Sequence, residues 1–185
     1  MTLALPVPQI SRLPLLGRER EVEEAYDAWG ANCGPLAIAA ATDRSLDEVR
    51  TALTKGTGRF KGYTNVLDVQ AALRWLDVQV VRTWSKRPAS LLTELRGTTI
   101  AMIQWGGPWM RDPRAAARHR HMIALRYGWI GPKLGPHWVA DVNVAHIWCL
   151  LDAWAETVPA VLMPKGGDGT WSVGWACQLE GTRTT

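Results

Sequence analysis

Cys33 stands in the stretch ANCGPLAIAAA (31–41), directly ahead of a Gly-Pro pair and a run of small apolar residues. A cysteine attacks as its thiolate, so a nucleophilic one needs an exposed sulfur and a lowered pKa. The first turn of a helix supplies part of this through unpaired N–H groups and the positive end of the dipole. Pro35 fits just inside such a start, where its missing N–H is no loss. Gly34 leaves room beside the sulfur for an approaching carbonyl, and the Cys33 N–H is placed to stabilise an oxyanion. A base must sit nearby. Of the four histidines, His121 opens the apolar strand HMIALRYG, which would hold an imidazole rigidly at one edge. His119, two residues earlier, would point to the same strand face and is its rival. His137 and His146, at a turn and near a helix start, rank lower. A third group should accept from the imidazole and fix its tautomer. Asp141, at the centre of HWVADVNV (137–144), is the candidate, because a carboxylate in an apolar strand is costly without a partner. Asn143 on the same strand face is the substitute orienter.

These residues require particular elements. REREVEEAYDAWG reads as a charged helix closed by a left-handed Gly30, followed by the apolar helical segment CGPLAIAAA. Ser45 with Glu48 and Asn65 with Asp68 have capping-box spacing. The first starts a helix to about Leu53, the second the helix VLDVQAALRWL. Residues 78–84, 98–105, 119–130 and 137–144 are rich in β-branched and aromatic residues and predict strands. Gly131, Pro132, Gly135 and Pro136 bracket the turn between the last two. A late helix over VAHIWCLLDAWAETV (144–158) and a final strand over TWSVGWACQLE complete the pattern. Helices first and a mostly antiparallel sheet second is an α+β layout. Residues 1–18, Pro- and Leu-rich, predict an extended arm that docks on the body or on an assembly partner; residues 19–185 predict one domain.

The order Cys, His, then Asp or Asn, with helices before the cysteine and strands around the histidine, resembles the papain-like cysteine peptidases. NCGPLAIAAA and TTIAMIQW…HRHMIALRYG…WVADVN resemble the compact branch typified by bacteriocin-leader-cleaving peptidase domains of export transporters. The resemblance implies a papain-like fold with the cysteine helix packed on the sheet. It implies Cys33 as nucleophile, His121 as base and Asp141 as orienter in cleaving a peptide or isopeptide bond. No cofactor is implied, and the partner is a protein or peptide substrate. The family usually carries a Gln several residues before the cysteine to complete the oxyanion hole; six before it here is Asp27, whose charge would repel an oxyanion. Asn32 would serve instead if its amide turned inward. The family's Asp-Pro element reads Asp141-Val142-Asn143, without the proline. Asp27, the Pro-rich arm and eleven Trp favour a second reading, a non-catalytic scaffold acting as a binding or structural component, as in a phage particle.

Composition narrows the alternatives. The chain has 185 residues, 47% hydrophobic and 21% charged, which suits one globular core. Three cysteines without a CxxC pair argue against a disulfide scaffold and favour a reducing compartment. The N-terminus lacks a basic leader region and no apolar run is long enough to span a bilayer. These point to a cytoplasmic protein, of a bacterium or an infected host, or a virion-associated one, with no membrane partner. The pair His119 and His121 lacks a third ligand at a metal-binding spacing. KGTGRFKGY (55–63) lacks the spacing of a phosphate loop and reads as a solvated loop bordering the cleft. RDPRAAARHRH (111–121) reads as an exposed loop, or as a basic wall for acidic substrate segments. At a net charge of +4, a nucleic-acid partner is weakly supported.

Overall fold

In the computed structural model, which describes residues 13–58, 60, 62–130 and 133–180, Cys33–Thr42 forms a helix (α2) buried from Gly34 to Thr42. A helix apolar on every side has to be enclosed on every side. Around it lie α1 (Glu19–Trp29), α3 (Leu46–Thr57) and α4 (Val66–Trp75), and beneath it a six-stranded antiparallel sheet. The sheet runs β1 (Val80–Pro88), β6 (Trp171–Leu179), β2 (Thr98–Trp105), β3 (Arg120–Ile130), β4 (Lys133–Ala140) and β5 (Trp148–Leu150) in spatial order. Two short helices, α5 (Leu91–Glu94) and α6 (Pro113–Ala117), flank β2 in sequence, and α7 (Leu151–Leu162) covers the opposite face. The expected α+β class is what the chain adopts.

Sequence signals for the helices hold at their ends. Gly30 closes α1 with φ 76°, and both capping boxes form, Ser45 with Glu48 and Asn65 with Asp68. Strand β2 is buried along its whole length, since core lies on both sides of the sheet. Met102, Met122 and Ala124 face the α1–α4 layer, while Ile103, Ile123 and Leu125 face α7. At the far end of α2, the buried Arg126 of β3 donates to the Ala41 carbonyl (3.4 Å), where the helix dipole favours a cation.

Several expectations are corrected. Strand β4 ends at Ala140, so Asp141 opens a turn instead of occupying a strand centre. Its carboxylate accepts from the Asn143 N–H (2.8 Å), an Asx turn that competes with the ladder. Gly135 and Pro136 belong to β4; Gly131 and Pro132 lie outside the described residues. The expected helix from 144 begins only at Leu151, because Trp148–Leu150 pair with β4. Residues 14–17 form a turn and not an extended arm. Leu15 is buried there, and the Pro14 carbonyl accepts from Trp148 Nε1 (2.5 Å). Residues 1–12 of that arm and 181–185 lie outside the described residues. Among the described residues no helix is long and apolar enough to cross a membrane.

Gly34 has a role different from the one expected. A Cβ built there would lie 2.4 Å from both Cβ and Oγ1 of Thr64, so that space is already filled by the loop before α4. Gly34→Ala should cost about 1–3 kcal/mol in urea unfolding through overpacking. In a double-mutant cycle with Thr64→Gly the paired variant should be more stable than the sum of the single changes; additivity would contradict the contact.

Candidate active site

Asn32 is the N-cap of α2, and its side chain accepts from the Gly34 N–H (3.2 Å), which makes Cys33 the first helical residue. The other end of the same amide donates to the Gly62 carbonyl (2.8 Å), tying the 58–65 loop to the helix start. Cys33 is half-buried and its N–H is among those a helix leaves without an internal partner. Beside it, β3 begins at Arg120 and presents His121, 8% exposed, to the sulfur. The His121 side chain and the Met122 backbone N–H are the groups near enough to the sulfur to favour its charged form. His121 Nε2 lies 2.8 Å from Asp141 Oδ2, which leaves Nδ1 as the ring nitrogen for the sulfur.

Asp141 is fully buried, yet every direction in which it can accept is used. Oδ2 takes His121 Nε2 and the indole N–H of Trp154 on α7 (2.8 Å). Oδ1 takes both the backbone and side-chain amides of Asn143 (2.8 and 2.9 Å). Such a carboxylate stays ionised in the interior because its donors replace water.

The charges follow from these contacts. Burial pushes the Cys33 thiol up, but His121 as hydrogen-bond partner and as charge, helped by the Met122 N–H, holds it below its usual value. Burial pushes His121 down, but Asp141 and the Cys33 sulfur together raise it to about 10. For Asp141 burial is outweighed by His121, Asn143 and Trp154, and its carboxyl lies below the ordinary value. These shifts all favour one charge arrangement, a thiolate facing an imidazolium backed by a carboxylate. Cys149 and Cys177 have no such partner, and burial pushes both up to about 12. Iodoacetamide at pH 7 should therefore modify the folded protein at Cys33 before either of the others, as read by peptide mass spectrometry.

The sulfur opens on a cleft of about 700 Å³. Tyr63, Thr64 and Asn65 form one wall, Ala117, Arg118 and Arg120 line it also, and Met102 and Met122 contribute apolar surface. Of the loop expected over 55–63, residues 55–57 instead end α3, residues 59 and 61 lie outside the described residues, and Tyr63 borders the cleft.

The remaining candidates fall elsewhere or act differently. Asp27 is exposed on α1 and lines a separate depression with Glu19, Glu23 and Val142, so its carboxylate does not face the sulfur. His119 precedes β3, stacks on Trp109 (centroids 4.0 Å apart) and does not share a strand face with His121. Asn143 supports Asp141 and does not replace it. His137 donates to the Leu95 carbonyl and His146 pairs with Glu19, both away from the cleft. Among the described residues no group of three His, Cys, Asp or Glu could hold a metal.

Two participants were not anticipated. Trp154 sits in an apolar helical run that marks it as core, and nothing in its spacing separates it from the other tryptophans. Gln104, buried in β2, directs its amide nitrogen at the carbonyls of Trp105, Ala116 and His119 (3.2, 3.2 and 3.0 Å). A polar residue inside an otherwise apolar strand was the available signal for it.

No protein-family model matches the chain, and no curated protein matches it. Among solved structures the chain is similar to the peptidase domain of Streptococcus ComA, a bifunctional ABC transporter involved in a quorum-sensing pathway. The TM-score is 0.47 and the identity 16%, over 82% of this chain and 92% of that one.

Proposed function

We propose that this chain is a papain-like cysteine hydrolase that cleaves a peptide or isopeptide bond, with Cys33 as nucleophile, His121 as acid and base, and Asp141 as orienter. The observation that carries the reading is the unbroken line of contacts from the Cys33 sulfur through His121 to the fully satisfied Asp141, ending on an open cleft. The Cys33 thiolate attacks the carbonyl carbon, and the oxyanion is met by the Cys33 N–H at the start of α2; the Asn32 amide, tied to Gly34 and Gly62, caps the helix instead. His121 then gives its Nδ1 proton to the departing amine. Neutral His121 next takes a proton from water, which attacks the thioester and releases the acid. Asp141 holds Nε2 throughout, so that Nδ1 is always the nitrogen that exchanges the proton.

A chloromethyl ketone peptide should label the wild-type protein and not Cys33→Ala. Equal labelling of both would sink the proposal, and the non-catalytic scaffold would stand in its place. That second reading loses one of its supports, since Asp27 lies outside the cleft.

A further inference from the structure

Arg120 is an exposed residue held in one pose by a buried one. Its Nε donates to Gln104 Oε1 (2.8 Å), and the Gln104 amide cannot turn over because its nitrogen is committed to three carbonyls. The terminal guanidinium nitrogens have no acidic partner among the described residues. Arg118, two residues earlier, is likewise without an ion pair among them and lines the same cleft. None of the described residues lining that cleft is acidic, whereas Cys33, Met102 and Met122 open onto it beside the two arginines. A fixed fork of donors over apolar surface suits a carboxylate on a short aliphatic stem.

We propose that the cleft binds a peptide segment bearing a carboxylate close to the scissile bond, and that Arg120, positioned by Gln104, and Arg118 pair with it. This rests on the reading that Cys33 attacks a peptide carbonyl. A peptide fits better than a nucleic-acid strand because the described lining holds two arginines and, besides the His121 imidazole, a single aromatic ring, Tyr63, too few to stack successive bases.

The test uses the full chain and reads alkylation of Cys33. Tripeptidyl chloromethyl ketones differing only in Glu or Gln at one position alkylate the sulfur with loss of chloride. The Glu reagent should react about five- to tenfold faster at low salt, an advantage that shrinks at high salt. The Glu/Gln rate ratio should fall toward one in Arg118→Gln and Arg120→Gln; taking the ratio cancels any general change in the thiolate. Arg114→Gln, an equal change in net charge outside the cleft, should keep the wild-type ratio. A second arm asks whether tetra-alanine with a free or an amidated C-terminus protects Cys33 from iodoacetamide. Protection by the free terminus alone, without a Glu preference, assigns the carboxylate to a chain end; a Glu preference assigns it to a side chain. Equal Glu and Gln rates together with equal protection overturn the inference while leaving the catalytic reading intact. So does protection by oligo-dT at lower concentration than by an acidic peptide. Absence of any alkylation at Cys33 removes both.

Discussion

Replacing His121 by Gln should slow alkylation of Cys33 by iodoacetamide at pH 7 by about a hundredfold or more. The largest influence on the Cys33 thiol is burial, which favours the neutral form, and His121 supplies most of what opposes it. Without the imidazolium, Cys33 would keep its burial, with the Met122 N–H and the start of α2 left in its favour. Its neighbours in chemistry would then be Cys149 and Cys177, which burial, as the largest cause, holds at about 12. The pH profile carries the sign. Wild-type reactivity should persist well below the ordinary thiol range, whereas that of His121→Gln should appear only as pH rises toward the alkaline end. Turnover should be bell-shaped, lost on the acid side as the thiolate protonates and on the alkaline side as His121 loses its proton near 10. A His121→Gln protein as reactive as wild type at pH 7 would show that the imidazole does not activate the sulfur.

Replacing Asp141 by Ala should cost about 3–5 kcal/mol of folding stability, because it strands a buried imidazolium. The indole N–H of Trp154 and both amides of Asn143 lose their acceptor as well. Asp141→Asn keeps the shape and should cost less, yet it too removes the charge that raises His121. The linkage can be followed by urea unfolding at several pH values. His121 is raised from 6.5 to about 10 in the folded chain, so its contribution is complete below 6.5 and fades as pH rises through about 10. Asp141 is lowered from 3.8, so its contribution is complete above 3.8 and is lost as pH falls through the lowered value. The stability gap between wild type and Asp141→Asn should therefore narrow from pH 7 toward pH 10. A gap that widens over that range would contradict the charge assignment. Trp154→Phe, which removes one neutral donor, should cost about 1 kcal/mol by the same measurement.

Much of this site was legible because its chemistry forces residue types into strong local patterns. The apolar run after Cys33 has one reading as an enclosed helix, and Asn32-Cys33-Gly34-Pro35 marks its start. His121 stood out because it opens the apolar run HMIALRYG at the start of β3. Asp141 was chosen for a sound reason, the cost of an unpaired buried carboxylate, but placed on a strand; the Asx turn with Asn143 that ends β4 was the missed signal. Gly34 was rightly singled out and wrongly explained, since the loop that crowds it at Thr64 is thirty residues away. Trp154 and Gln104 act through tertiary partners on other elements, and no local periodicity reports those.

Strand β3 meets α2 at both ends, His121 beside Cys33 at the start and Arg126 on the Ala41 carbonyl at the finish. Helix and strand therefore run side by side in one direction, like two rails fastened at each end. The gap between sulfur and imidazole is then a property of ten packed residues and not of two rotamers. The ordering cost of bringing nucleophile and base together is met once, when the chain folds, and no part of it has to be met again as each substrate arrives.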